Sequence, residues 1–116
     1  MHTPHRILVP LVAGLALAGL AAPAVAAVDE DAAMETLHRN ECTKCHDVNK
    51  TKKGPAYKKV AEKLAGKPDA RQKILDNITK EPLVKLEDGT EQKHKVIDTT
   101  DKKELDNLID FILSRK

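Results

Sequence analysis

Cys42, Cys45 and His46, in the run Cys42-Thr43-Lys44-Cys45-His46, are the residues of this 116-residue chain whose types and spacing carry the most chemistry. Two thiols separated by two residues can add across the two vinyl groups of a haem as thioethers. A histidine directly after the second cysteine is then held where its imidazole reaches the iron, which makes C-x-x-C-H the attachment pattern of haem c. A redox-active dithiol would need a βαβ setting, and half of a zinc site would need two further Cys or His ligands at suitable spacing. The chain has two cysteines in all and little strand-like alternation, so both thiols are assigned to one haem c and no disulfide is expected.

The N-terminus suggests where that chemistry takes place. His2, His5 and Arg6 precede an apolar run from Ile7 to Ala22, and Ala24-Val25-Ala26 has the small-x-small pattern of a secretory cleavage site. The run contains Pro10 and two glycines and falls short of the roughly 20 apolar residues that span a bilayer. Residues 1–26 therefore read as a cleavable signal peptide. The expected location is the periplasm, with no stable membrane insertion of the mature chain.

Residues 27–116 are enough for one small domain. They contain no Trp, one Tyr (Tyr57) and one Phe (Phe111), so the large apolar bodies that usually fill a core are missing. A porphyrin surrounded by Leu, Ile, Val and Ala would supply that bulk.

The elements that must position the motif read as helices throughout. Met34, Leu37 and His38 stand at helical spacing in a segment of about residues 30–40 that leads into Cys42. Gly54-Pro55 opens a second helix with Tyr57, Val60, Ala61 and Leu64 as its stripe, ended by Gly66 and Pro68. Asp69 with Gln72 makes a capping box ahead of Ile74, Leu75 and Ile78, and Pro82 limits that third helix. A polar loop follows to about Thr100. The last helix has Thr100 or Asp101 as N-cap, Glu104 three residues after Asp101, and Leu105, Leu108, Ile109, Ile112 and Leu113 on one face.

This succession resembles a short bacterial class I cytochrome c over nearly all of residues 30–116. Besides Cys42, Cys45 and His46, the resemblance rests on Gly54-Pro55-Ala56-Tyr57-Lys58-Lys59-Val60-Ala61, close to the family's K-G-P-A-[YF]-x-x-V-A signature, and on Phe111-Ile112-Leu113. It implies an all-α fold of about four helices packed around one covalently attached haem. It also implies that the first and last helices cross, with Phe111 against Leu37, and that the Pro55 carbonyl orients His46 and tunes its donor strength.

One departure from the family bears on the iron. Class I cytochromes place an axial Met in the loop before the last helix, and this chain has no Met after Cys45. His94 stands close to where that Met would fall, so the expected ligand pair is His46 and His94. An open or water-bound position, Lys93, Lys95 and Met34 are the alternatives. The lysines must lose a proton to bind, and Met34 and His38 lie on the helix leading to the attachment side.

Charge is nearly balanced, with 20 basic and 18 acidic side chains, but unevenly placed. Lys44, Lys50, Lys52, Lys53, Lys58 and Lys59 cluster around the motif and would steer redox partners with acidic docking surfaces. Nucleic acid is a poor partner, since no aromatic platform is present on which bases could stack. The resulting expectation is a monomeric electron carrier rather than an enzyme. A ligand-binding haem protein with a displaceable distal group is the alternative, and a subunit bound permanently to a larger oxidoreductase would instead show a large exposed apolar patch.

Overall fold

The computed structural model describes residues 27–116 together with Gly14 and Gly19; the signal peptide assigned to residues 1–26 otherwise lies outside the described residues. Four α-helices, one 3-10 turn and one hairpin follow in chain order: α1 (Glu30–Arg39), the turn (Cys42–Lys44), α2 (Tyr57–Leu64), α3 (Ala70–Thr79), β1 (Leu83–Lys85), β2 (Glu91–Lys93) and α4 (Lys102–Leu113).

Helix α1 starts where Asp29 accepts a hydrogen bond from the Ala32 amide at 2.9 Å, with Glu30 and Asp31 in its first turn and His38 and Arg39 in its last. Both charge placements suit the helix dipole. Its buried face is Ala33, Thr36 and Leu37, and it packs on α4, whose buried residues are Leu108, Ile109, Phe111 and Ile112. Phe111 and Leu37 are among the largest fully buried side chains, and both belong to this core. Helices α2 and α3 also pack on α4, so the most apolar helix is the one that all the others share.

Helix α2 has no side-chain cap. Its leading amides reach back instead to the preceding loop, Tyr57 N to Asp47 O at 3.0 Å and Lys58 N to Val48 O at 3.1 Å. These bonds fasten the helix to the segment that carries the haem motif.

The capping expectation at Asp69 does not hold, and the one at Asp101 does. Asp69 makes no capping bond; it pairs with Lys73 at 3.4 Å, while Gln72 donates to Asp76 at 2.8 Å, because both side chains find partners one turn further along the helix. Asp101 does cap α4, accepting from the Lys103 amide at 2.9 Å, but Glu104 turns away to Thr36 (2.8 Å) and Arg39 and so joins α4 to α1.

The expected polar loop before α4 contains a hairpin. Leu83 pairs with Lys93, Val84 with Gln92 and Lys85 with Glu91. The Leu86 amide donates to Thr90 O at 2.7 Å across the three-residue turn Glu87-Asp88-Gly89, in which Gly89 takes the left-handed φ of 84° that this turn requires.

Candidate functional site

Cys42 opens the 3-10 turn that follows α1, and Cys45 stands directly after it. The loop after it folds back tightly: Gly54 N donates to Cys45 O at 2.9 Å and Lys52 N to Gly54 O at 3.0 Å. Asp47 holds the bend by accepting from the Asn49 and Lys50 amides at 2.8 and 2.9 Å, which also keeps its carboxyl below the usual range.

This fold-back fixes His46 on three sides. Its Nδ1 is 2.7 Å from the Pro55 carbonyl. A carbonyl only accepts, so Nδ1 carries the proton and Nε2 is left with its lone pair. The Tyr57 ring stacks on the imidazole with centroids 4.9 Å apart at 20°. The Gly54 backbone closes the remaining side. Burial moves the His46 pKa down, in the direction of the neutral imidazole that a metal needs, and burial likewise raises the Cys42 thiol and Tyr57 phenol.

A β-carbon on Gly54 would lie 2.7 Å from His46 Cε1, below any ordinary contact. The ring cannot retreat, since Tyr57 backs it. Gly54→Ala is therefore expected to destabilise the holoprotein by about 1–3 kcal/mol, as overpacking does, and to perturb the haem spectrum. Thermal unfolding followed at the Soret band checks it; an unchanged midpoint and spectrum would show that the ring has room to move.

A cavity of about 390 Å³ opens in front of His46. Cofactor pockets run from about 300 to 1,000 Å³, and most of the walls here are aliphatic, from Leu37, Ile74, Ile78, Val84, Leu108 and Ile112. Two thiols, one imidazole with a free Nε2 and apolar walls make a donor set and lining that fit a haem.

The hairpin forms the far side. Strand alternation turns Val84 and Gln92 toward the cavity and leaves Leu83, Glu91 and Lys93 exposed outside its lining, while the exposed Lys85 reaches its rim. One residue beyond β2 the pattern continues, with His94 N donating to Pro82 O at 2.8 Å, and His94 lines the cavity. Its ring centroid is 6.1 Å from that of His46, at 44°. Its Nδ1 faces the Lys95 carbonyl at 2.8 Å, so its Nε2 is likewise free to bind. Lys93 lies outside the cavity lining, Met34 packs against the core, and His38 is exposed on α1.

The tip of the hairpin docks on the attachment loop through Glu87 N to Lys53 O at 3.1 Å. Lys95 reaches the cavity rim from the distal side, and its ammonium is 2.7 Å from Glu41, whose carboxylate also holds Lys44 at 2.7 Å. Hydrogen bonds from Lys44 and then Lys95 pull the Glu41 carboxyl down to about 2.

The cytochrome c family model matches residues 32–116, which spans the helices, both thiols and the hairpin. The chain belongs to the cytochrome c family. Its fold is similar to that of the class 1 cytochrome MtoD from Sideroxydans lithotrophicus ES-1, at 47% identity and a TM-score of 0.72 over 76% of this chain and 97% of that one. It is also similar to cytochrome c552 of Nitrosomonas europaea, at 27% identity and a TM-score of 0.55 over 72% of this chain and 99% of that one. No curated protein matches significantly. Family membership makes haem c the cofactor, held through Cys42 and Cys45, and electron transfer rather than catalysis the function.

Four residues of the site escaped the sequence reading in their roles. Tyr57 read as a core stripe residue, yet it stacks on His46; Gly54 read as a helix opener, yet its missing side chain makes room for the ring. Lys85 reaches the rim from the hairpin, and Lys95, a candidate iron ligand by sequence, is an ion-pair partner of Glu41. Conversely, of Lys44, Lys50, Lys52, Lys53, Lys58 and Lys59, only Lys44 lines the cavity.

Proposed function

We propose that this cytochrome c is an exported, periplasmic single-electron carrier whose haem iron is held between His46 and His94. The observation that carries the reading is the pair of imidazoles that line the same cavity with ring centroids 6.1 Å apart. His46 and His94 would hold the iron between them, and imidazole nitrogen is a donor that suits iron. Each Nδ1 is satisfied by a backbone carbonyl, at 2.7 Å for His46 and 2.8 Å for His94.

When bound, the haem supplies a one-electron Fe(III)/Fe(II) couple. The protein's part is to keep the same groups in place in both states. His46 is fixed by Pro55, Tyr57 and Gly54, and His94 by the ladder bond to Pro82, so little reorganisation accompanies the change of charge. The aliphatic walls exclude water. A ferrous holoprotein that binds carbon monoxide only slowly supports this reading, and rapid binding would favour the ligand-binding alternative.

Export is supported by Ala24-Val25-Ala26, the small-x-small pattern of a cleavage site, with Ala27 and Val28 between it and Asp29, which caps α1. Among the described residues no helix is long and apolar enough to cross a membrane. Leu83 is the exposed large hydrophobic residue among them, 65% accessible, which suits a free monomeric shuttle better than a permanently docked subunit.

Lys44, Lys85 and Lys95 at the cavity rim, with Glu41 the acid beside them, suit partners with acidic docking surfaces. Electron transfer with an anionic partner protein should slow by about tenfold as salt rises from low to physiological and beyond, because exposed charges are screened past about 8 Å. Lys44→Gln with Lys85→Gln should flatten that dependence, whereas Lys58→Gln with Lys59→Gln should alter it little. Equal salt slopes for all three proteins would show that the rim lysines only solvate.

A further inference from the structure

We propose that Asn40, assisted by Glu41, is the positioning residue for the distal histidine: it ties the segment that carries His94 to the residues that precede the covalent attachment point. The inference rests on the reading of His94 as an iron ligand.

Beyond Lys93 the chain crosses the distal side with no regular element until α4 begins at Lys102. Residues 94–98 need other anchors. His94 N to Pro82 O and Ile97 N to Ile78 O, both 2.8 Å, hold the segment to its own side of the molecule. The other two anchors come from the attachment side. Asp98 N donates to Asn40 Oδ1 at 2.7 Å, and Lys95 Nζ donates to Glu41 at 2.7 Å.

Asn40 is built for this task. It is 4% exposed, and its side-chain Nδ2 donates to Thr36 O at 2.9 Å. That bond fixes the amide orientation, which leaves Oδ1 as the acceptor that faces Asp98. An aliphatic side chain would leave the Asp98 amide without its partner. Glu41 has the left-handed φ of 57°, a conformation that residues with a β-carbon adopt only at a cost, and its carboxylate bridges Lys44 and Lys95. Because Cys42 follows directly, one short run of chain holds the haem on one side and the distal ligand segment on the other. With His94 as the ligand, the anchors at Lys95 and Asp98 would restrict the backbone motion that carries its imidazole away from the iron.

The test measures carbon monoxide association with the ferrous holoprotein, and amide exchange at Asp98. Asn40→Ala is expected to speed both by about tenfold, the effect of losing one well-made internal hydrogen bond. Glu41→Gln should speed association about twofold to threefold, as loss of an exposed ion pair does. Its side chain is exposed, so this variant carries the test should Asn40→Ala fail to fold. Thr36→Val, which removes the hydroxyl bond to Glu104, should lower the thermal midpoint without changing the carbon monoxide rate, separating positioning from bulk stability. If His94→Ala speeds association while Asn40→Ala and Glu41→Gln leave both readouts at wild-type values, the inference alone falls. If His94→Ala itself changes nothing, the ligation and the inference fall together.

Discussion

Alanine at His94 is expected to change the ferric haem spectrum from low-spin to high-spin or water-ligated, and to let carbon monoxide bind the ferrous protein rapidly. The imidazole lines the same cavity as His46, with ring centroids 6.1 Å apart and its Nδ1 already tied to the Lys95 carbonyl. Under the proposed ligation an incoming ligand would have to wait for His94 to leave. Its apparent affinity is scaled by the fraction of protein with the ligand off, so a protein that is about 1% open should gain about 100-fold when the imidazole is removed. His38→Ala should leave the spectrum as it is, since His38 is exposed on α1. The wild-type potential should lie below that of Met-ligated relatives, because thioether ligation is the arrangement that raises it. A His94→Ala protein that stays low-spin would defeat the assignment and direct attention to Lys95, the cavity-lining neighbour whose ammonium Glu41 now engages. A wild type that is already high-spin would defeat it as well, in favour of an open site.

The proximal half of this site was legible because its chemistry is local in sequence. Cys42, Cys45 and His46 are contiguous, and Pro55 comes nine residues later through a single fold-back, so motif and hydrogen bond are encoded in one stretch. The helices were legible for a related reason: apolar residues at 3.6-residue spacing bury one face, and Leu108, Ile109 and Ile112 of α4 do so. The distal half was harder. His94 could be singled out as a candidate by elimination, but what brings it to the cavity is a hairpin whose strands are three residues each, too short for alternation to stand out. Asp88-Gly89 between Leu-Val-Lys-Leu and Thr-Glu-Gln was the available signal. The capping box at Asp69 failed because capping competes with pairs along the helix, and Lys73 and Asp76 offered closer partners. Asn40 and Tyr57 were out of reach for a different reason. Their roles are set by residues 58 positions away, in the first case, and by a ring packed across a loop, in the second, and neither pairing has a local signature.

Loss of the covalent attachment should cost the protein its fold. The domain gathers its aliphatic side chains around a space rather than around aromatic bodies: Tyr57 and Phe111 are its two aromatic rings besides histidine, and the Leu37, Ile74, Ile78, Leu108 and Ile112 side chains all border the cavity. Without haem this space of about 390 Å³, open to solvent at its rim, stays unfilled, and its aliphatic walls lack the packing contacts that the haem would supply. Small domains have about 5–15 kcal/mol of stability in total. Without haem the packed state therefore has little or no margin, and collapse of α1, α2 and α3 onto α4 would have to proceed by repacking the walls, much as metal-dependent domains unfold when the metal is withheld. The Cys42→Ser, Cys45→Ser double variant, purified free of haem, should show weak helical circular dichroism and no cooperative thermal transition. The wild type produced with haem maturation machinery should show both. The wild type produced without that machinery should behave like the double variant, which separates loss of haem from any effect of the serines. A haem-free double variant that is helix-rich and melts cooperatively would mean that the aliphatic walls close on themselves, and that the haem is a passenger in the fold rather than its centre.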